Sequence, residues 1–450
     1  MSQSPSYPEG APEPYSENFD HPDASKPRDS IDRKLGQYSN ISQFAIVESR
    51  ELSRSRGDQN FQNRALVLAP GRERSVLGRH QWIFSGAVKH MPKGVPDGEC
   101  VPVLSATGDF LGIAFLQRRS SIVGRLISFE DRPVEAILLS NLEQALLLRR
   151  KLFGDLSGKM YRLVNAEADM LSGLIVDVYD TTAVIQISSL GMERRKEQIV
   201  EMVRILLPVT WVYERSTSPS RKHEGLAPSQ GTLFGEEKPV YVQEDGFRFH
   251  IDITGGQKTG FFIDQREMRG LVKRLAAGKR VVNCFCYSGA FSVAALAGGA
   301  TKCVSIDASQ AALQLVEEHL RLNGLESAAH ESLCTDVFSW LETDPLFYDL
   351  IILDPPAFAK RKQDVENALK GYREINRRVL QKVPSGSFLL TFSCSYHVEP
   401  NQFLAMLKKA SLDAKRHVRL LSHHRHAWDH PMSIYHPETD YLKSALLYVE

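Results

Sequence analysis

Residues 280–307, RVVNCFCYSGAFSVAALAGGATKCVSID, admit few folds. A β-prone run over 281–286 stops at Tyr287-Ser288-Gly289. A helix of small residues follows over 290–297, then the Gly298-Gly299 break, then a second β-prone run over 303–306 closed by Asp307. Strand, glycine turn, helix, strand and acid make one βαβ unit of a parallel sheet. Gly289 has no Cβ, so backbone there can lie against a ligand. An acid ending the second strand can accept hydrogen bonds from a ribose diol. A dinucleotide site would show G-x-G-x-x-G, with a pyrophosphate against the helix N-terminus. Here only Gly289 falls in the turn, and Asn283 and Tyr287 stand where glycines would be expected. One glycine suits a cofactor with a ribose and no phosphate, which favours S-adenosylmethionine (SAM) over NAD; a buried βα turn without a ligand stays open.

The β/α alternation continues to the end of the chain. A helix over 309–322 ends at Asn323-Gly324, a short strand reaches Cys334-Thr335-Asp336, and YDLIILDPPAF carries four consecutive apolar residues, 350–353, as a strand buried on both faces should. A helix over 363–382 precedes the strand in SFLLTFSCSYH. The sum is a doubly wound parallel sheet with ligands at the carboxyl ends of its strands. Asp336, Asp354 and Cys394 each fall at or just beyond such an end, in the same sheet as Gly289 and Asp307. Two prolines after Asp354 remove backbone donors and stiffen its loop. Ring nitrogens and amines take a methyl group directly, whereas C5 of a pyrimidine needs a thiolate added at C6 first, so a cysteine beside a methyl donor points to C5 chemistry. A buried, inert strand-end thiol is the alternative for Cys394. The loop GGQKTG lacks the G-x-x-x-x-G-K-[ST] spacing of a nucleotide triphosphate site.

At 450 residues the chain requires more than one core. Residues 1–63 are rich in Pro, Ser and charge and read as a disordered extension, too acidic for a transit peptide. Residues 64–132 alternate in short runs broken by Pro-Gly, Lys-Gly, Asp-Gly and Thr-Gly, which predicts a small β-barrel. Its excess of Arg and Lys, with Trp82 and Phe84 expected on the surface, fits an RNA-binding module, though a solvated face is equally compatible. Residues 133–250 read as a central α/β domain: a helix over 134–152, a hairpin around Asp180-Thr181, a helix near 193–207, a polar loop over 213–226 and a strand over 247–253. Residues 251–450 are the parallel-sheet domain. With Lys plus Arg at 55 against Asp plus Glu at 54, no whole-molecule field advertises a polyanion, so any RNA surface is local. No apolar run approaches a bilayer span, and no membrane partner is expected. Six cysteines show no disulfide framework and fit a reducing cytosol. Cys284 and Cys286 are expected on one strand face as buried thiols, with no metal.

These residues also resemble a family. From about residue 65 onward, LVLAPGRERSVLGRHQWIFSGAV, YERS, RKHEGL, KTGFFIDQR, VVNCFCYSGAFSVAALAGGA, LDPPAF, LLTFSCS, WDHP and YLK are similar to the ribosomal RNA large subunit methyltransferase I family. The resemblance implies a SAM-dependent class I enzyme forming 5-methylcytosine in 23S rRNA, with a PUA domain, a central α/β domain and a Rossmann-like methyltransferase domain. It implies that Asn283, Phe285, Tyr287 and Gly289 line the cofactor, that Asp307 holds the ribose and that Asp336 holds the adenine amine. Phe262, Asp264 and Arg266 match the loop closing over SAM. Asp354 would face the N3/N4 edge of the target base, and Cys394 would be the nucleophile. The partners implied are 23S rRNA, the large ribosomal subunit or its precursor, and a second copy in a homodimer. The acidic extension departs from that pattern, and no second cysteine follows Asp354-Pro355-Pro356. An N-methyltransferase of the same fold and a non-catalytic RNA-binding assembly factor remain the rival readings.

Overall fold

The computed structural model describes residues 63–326, 329–359 and 361–450. The extension expected over residues 1–63 lies outside them, Asn63 excepted. Six strands open the described chain: β1 (Leu66–Leu68), β2 (Trp82–Phe84), β3 (Val88–His90), β4 (Cys100–Leu104), β5 (Phe110–Leu116) and β6 (Ile122–Ser128). They form one sheet in the order β2-β6-β5-β4-β1-β3. Its two edge strands are joined by the short turn Ser85–Ala87, so the sheet curls round a single core that includes Leu66, Ile83, Val103 and Leu126. Curling brings the edges together and leaves little unpaired backbone to cover.

Helix α1 (Val134–Phe153) then leads into β7 (Met160–Asn165), β8 (Leu174–Tyr179), β9 (Thr182–Ile187), helix α2 (Lys196–Leu206), β10 (Trp211–Ser216) and β11 (Ser229–Gly235), in a five-stranded sheet ordered β11-β10-β9-β8-β7. The β8–β9 hairpin turns at Asp180-Thr181, where Asp180 takes φ 55°. Alternation sorts the two faces. Val176, Val178, Ala183 and Ile185 meet α1 and α2, whereas Tyr179, Val184 and Trp211 join a core with the hairpin β12 (Tyr241–Glu244) and β13 (Phe247–His250). The loop expected over 213–226 is corrected: 213–216 complete β10, and Pro219–Glu224 form a 3-10 turn. The polar residues hid a strand because Glu214 is buried with its charge met by Lys196 at 2.8 Å.

Helix α3 (Arg266–Leu275) precedes β14 (Arg280–Cys284), α4 (Ala290–Ala297), β15 (Lys302–Asp307), α5 (Gln310–Leu322), β16 (His330–Cys334), α6 (Val337–Thr343), β17 (Leu350–Leu353), α7 (Val365–Lys382), β18 (Phe388–Ser393), α8 (Pro400–Asp413), β19 (Val418–His424) and β20 (Lys443–Val449). The sheet order is β16-β15-β14-β17-β18-β20-β19. The first five strands are parallel, and β20 is antiparallel to both neighbours. Val282, Ile306 and Leu353 face α6–α8, while Val281, Cys303 and Leu350 face α3 and α4. Burial on both faces accounts for the unbroken apolar runs. Strand order reverses direction between β14 and β17, so the crevice beyond their carboxyl ends is the topological switch point.

One expectation for the β14 turn is corrected. Cys284 and Cys286 are both buried but do not share a face: Phe285 takes φ 61° directly after the strand, and the two thiols join different core clusters. Gly289, at φ 73°, is required by internal packing. A Cβ there would stand 2.7 Å from Val316 Cγ1 on α5. Gly289→Ala is therefore expected to cost about 2 kcal/mol or more, from the left-handed backbone and the overlap together. Urea denaturation checks this, and adding Val316→Ala should restore only the overlap part.

Candidate active site

Three loops meet at the switch point. The β14 loop carries Phe285 and Tyr287, the β17 loop carries Asp354-Pro355-Pro356, and Cys394 follows β18 directly. They wall a cavity of about 350 Å3 together with Lys258, Phe262, Gln265 and Asp307. The parallel register sets the spacing, because Cys284, Leu353 and Thr391 lie side by side across β14, β17 and β18. The Cys394 thiol points at the Pro355 carbonyl, 3.9 Å away.

Backbone ties hold the loops in place. Ser395 Oγ accepts the Ala359 N–H at 3.1 Å and lies 2.9 Å from the Tyr372 hydroxyl. This links the loop after Asp354 to the loop of Cys394. Ser395→Ala would leave the buried Ala359 N–H unpaired, and is expected to destabilise the protein by about 1–3 kcal/mol, read as a lowered Tm. Tyr287 does similar work. Its N–H donates to Asp307 Oδ2 at 3.0 Å, its hydroxyl donates to the Gly260 carbonyl at 3.1 Å, and that hydroxyl accepts the Gln257 N–H at 2.9 Å. The loop over 255–260 is thereby fastened across the turn that precedes α4.

The electrostatics separate two neighbouring acids. Asp264 is buried, which works against its charge, but Lys258 at 2.7 Å outweighs that and holds it well below the usual carboxylate range; the Tyr441 hydroxyl also donates to it at 2.7 Å. Among the described residues, no cation is bonded to Asp354. Burial pushes its pKa up to about 6, opposed by the Gln265 amide donating at 2.6 Å. Burial, with the Asp354 charge beside it, pushes the Cys394 thiol up to about 11. Lys443 donates to the Ser395 and Tyr441 carbonyls, and burial lowers its pKa to about 8.

Of the residues singled out in the sequence, Phe262, Phe285, Tyr287, Asp307, Asp354 and Cys394 all line the cavity. Gly289 caps α4 beside them. The others lie outside its wall. Asn283 is buried under α4, donating to Ser292 Oγ at 2.9 Å. Asp264 sits behind Lys258. Arg266 points away, paired with Glu244 at 3.1 Å and donating to the Met160 carbonyl, so it joins the central sheet to α3. Asp336 is exposed at the start of α6, where its Oδ1 accepts the Ser339 N–H. Lys258, Gln265 and Lys443 were missed as site residues, although all three stand in the stretches KTGFFIDQR and YLK. Trp82 is not free on the surface: its indole N–H donates to Glu167 at 2.9 Å, while Phe84 remains exposed.

A parallel sheet with an acid ending β15, aromatic walls and one glycine turn fits a cofactor that carries a ribose and a cationic sulfonium. The fold and site define a SAM-dependent methyltransferase. Residues 229–419 match the S-adenosylmethionine-dependent methyltransferase family model, and residues 66–129 match a PUA-like domain. Ribosomal RNA large subunit methyltransferase I of Shewanella denitrificans is 37% identical over 386 residues, covering 84% of this chain and 97% of its own. The protein of that name from Photobacterium profundum is 38% identical over 394 residues, covering 86% and 99%. A methyltransferase solved in complex with SAH superposes with a TM-score of 0.74 at 25% identity, covering 85% of this chain and 99% of its own. The chain belongs to the ribosomal RNA large subunit methyltransferase I family and is a SAM-dependent methyltransferase of large-subunit rRNA. The comparisons lend no support to a homodimer. Among the described residues, no helix is long and apolar enough to cross a membrane.

Proposed function

We propose that this enzyme makes 5-methylcytosine in 23S rRNA, in the large subunit or its precursor, through a covalent bond from Cys394 to C6 of the base. The observation that carries this reading is that Cys394 and Asp354 open onto the same cavity as Asp307, Phe285 and Tyr287. When bound, SAM supplies an electrophilic methyl group. Asp307 would accept hydrogen bonds from its ribose, Phe262, Phe285 and Tyr287 would wall it, and Asp336, beyond the cavity wall at the start of α6, would take the adenine amine. Asn283, Gly289, Asp264 and Arg266 act through the loops they hold in place. Asp354 faces the N3/N4 edge of cytosine. As the Cys394 sulfur bonds to C6, protonated Asp354 gives N3 a proton and C5 becomes an enamine-like carbon able to take the methyl group from the sulfonium, whose sulfur leaves as a neutral thioether. Loss of the C5 proton to a base restores the enamine, and expulsion of the thiolate then re-forms the C5–C6 double bond as N3 returns its proton to Asp354. The domain over 64–132 binds the RNA, and the enzyme works in the cytoplasm beside its substrate.

One observation favours a rival, N-methylation of a purine by the same fold. The Cys394 thiol is held at about 11, a protonated and inert form at neutral pH. A single trapping experiment separates the two readings. With rRNA fragments containing 5-fluorocytosine, C5 chemistry stalls as an adduct that survives denaturing gels and is lost in Cys394→Ser. Nucleoside mass mapping of 23S rRNA from cells lacking the protein should show one 5-methylcytidine missing. A missing N-methylpurine and no adduct would establish the rival.

A further inference from the structure

Away from the cavity, two histidines and a glutamate converge from opposite ends of the chain. His80 precedes β2, and His436 and Glu438 lie in the segment between β19 and β20. One ligand atom from each lies within 4.8 Å of the others. His80 Nε2 is 3.3 Å from Glu438 Oε2, and His436 Nδ1 is 3.7 Å from the same oxygen. A tetrahedral ion with bonds of about 2.0–2.1 Å spaces its ligands at about 3.4 Å, close to both separations. The His80 ring is aimed by backbone: its Nδ1 lies 3.3 Å from the Trp82 carbonyl, and an N–H donated there leaves Nε2 free to bind a metal.

His436 is the anomaly. Its ring is fully buried, and among the described residues neither ring nitrogen has a hydrogen-bond partner. Buried polar atoms are nearly always paired, so an imidazole orphaned at both nitrogens beside a histidine and a carboxylate signals a missing ligand. The Trp82 ring edge, 4.5 Å between centroids, closes one side and supplies no acceptor.

We infer that His80, His436 and Glu438 form a site for one divalent transition-metal ion, Zn2+ by donor type, which staples the N-terminal sheet to the segment leading into β20. Two imidazoles and one carboxylate suit Zn2+ better than Mg2+ or Ca2+, which prefer all-oxygen shells. Water completes the fourth position. The ion fixes the β2 edge of the PUA-like domain relative to the methyltransferase sheet.

The test uses the full chain without a histidine tag, stripped with EDTA and titrated with Co2+ and then Zn2+. Wild type should take up one equivalent of Co2+ with the visible bands of a four-coordinate site, displaced by Zn2+ with a Kd of about 1 μM or tighter. Glu438→Gln should weaken binding at least about tenfold, and His436→Gln should abolish it. His423→Gln with His424→Gln should leave it intact. Zn2+ should raise the Tm of wild type and not of Glu438→Gln. Glu438 is partly exposed, so its variant decides the matter even if His436→Gln fails to fold. The inference is overturned by the absence of a saturable equivalent in wild type, or by binding that Glu438→Gln leaves unchanged.

Discussion

Cys394→Ala is expected to lower kcat for methyl transfer by about 10,000-fold or more while leaving SAM affinity within about threefold. The asymmetry follows from position. Cys394 follows β18, on the far side of β17 from β14 and β15, whose ends carry Phe285, Tyr287 and Asp307. Removing its sulfur takes away a bond formed only on the reaction path. Single-turnover transfer from labelled SAM, with calorimetry of SAM binding, measures the two quantities separately. Full activity in the variant would end the covalent reading; a large loss of SAM affinity would move Cys394 into the cofactor site.

Asp354→Asn should be far less active and more stable at once. The sign follows from the raised pKa. Asp354 titrates near 6 in the folded protein and near 3.8 when exposed. The folded state thus binds this proton more tightly, and stability is lost as pH rises from about 4 through 6. Above pH 6 the penalty is full, at most about 3 kcal/mol and less where water in the open cavity screens the charge. Asparagine is never charged and can still accept from Gln265, so the variant should gain Tm at pH 7–8 and gain nothing near pH 4. Its activity should fall by about 100-fold to 10,000-fold, the usual worth of a positioned proton donor.

The pH profile of kcat/KM adds a second reading of the same variant. In wild type the productive form has Asp354 protonated and Cys394 ionised, with pKa values near 6 and 11. Between them the two fractions change in opposite senses and cancel, so the profile is flat; below pH 6 it falls tenfold per unit. In Asp354→Asn only the thiol titrates, and the low residual rate should climb tenfold per unit across the neutral range. A variant profile as flat as wild type would remove Asp354 from proton transfer.

Much of this architecture is legible along the chain. Apolar runs broken by Gly, Asn and Pro mark β14 to β18 and their helices within a few residues, because a strand buried on both faces leaves no polar position to blur its limits. Acids and thiols just past those runs mark Asp307, Asp354 and Cys394 for the same reason. Parallel strands all end on one edge, so strand-end residues share a side without further information. Where local periodicity misleads, a distant contact is the cause. The polar stretch over 213–216 is a strand because Lys196 neutralises Glu214. Cys284 and Cys286 part company because Phe285 adopts a positive φ. Gly289 is also held to glycine by Val316, a contact no local pattern shows.

By itself the sequence determined the strands of the sheet's parallel half and the identities of the groups at its carboxyl edge, since those depend on composition and short-range alternation. Only the tertiary structure decided which of those groups meet and in what state of charge. Gln265 reaches Asp354, Lys258 and Tyr441 clamp Asp264, and His80 faces His436 across more than three hundred residues. Burial and unlike neighbours set the charge states of Asp264 and Asp354, two carboxylates with the same intrinsic chemistry. No spacing in a single sequence encodes a field made by residues brought together only on folding.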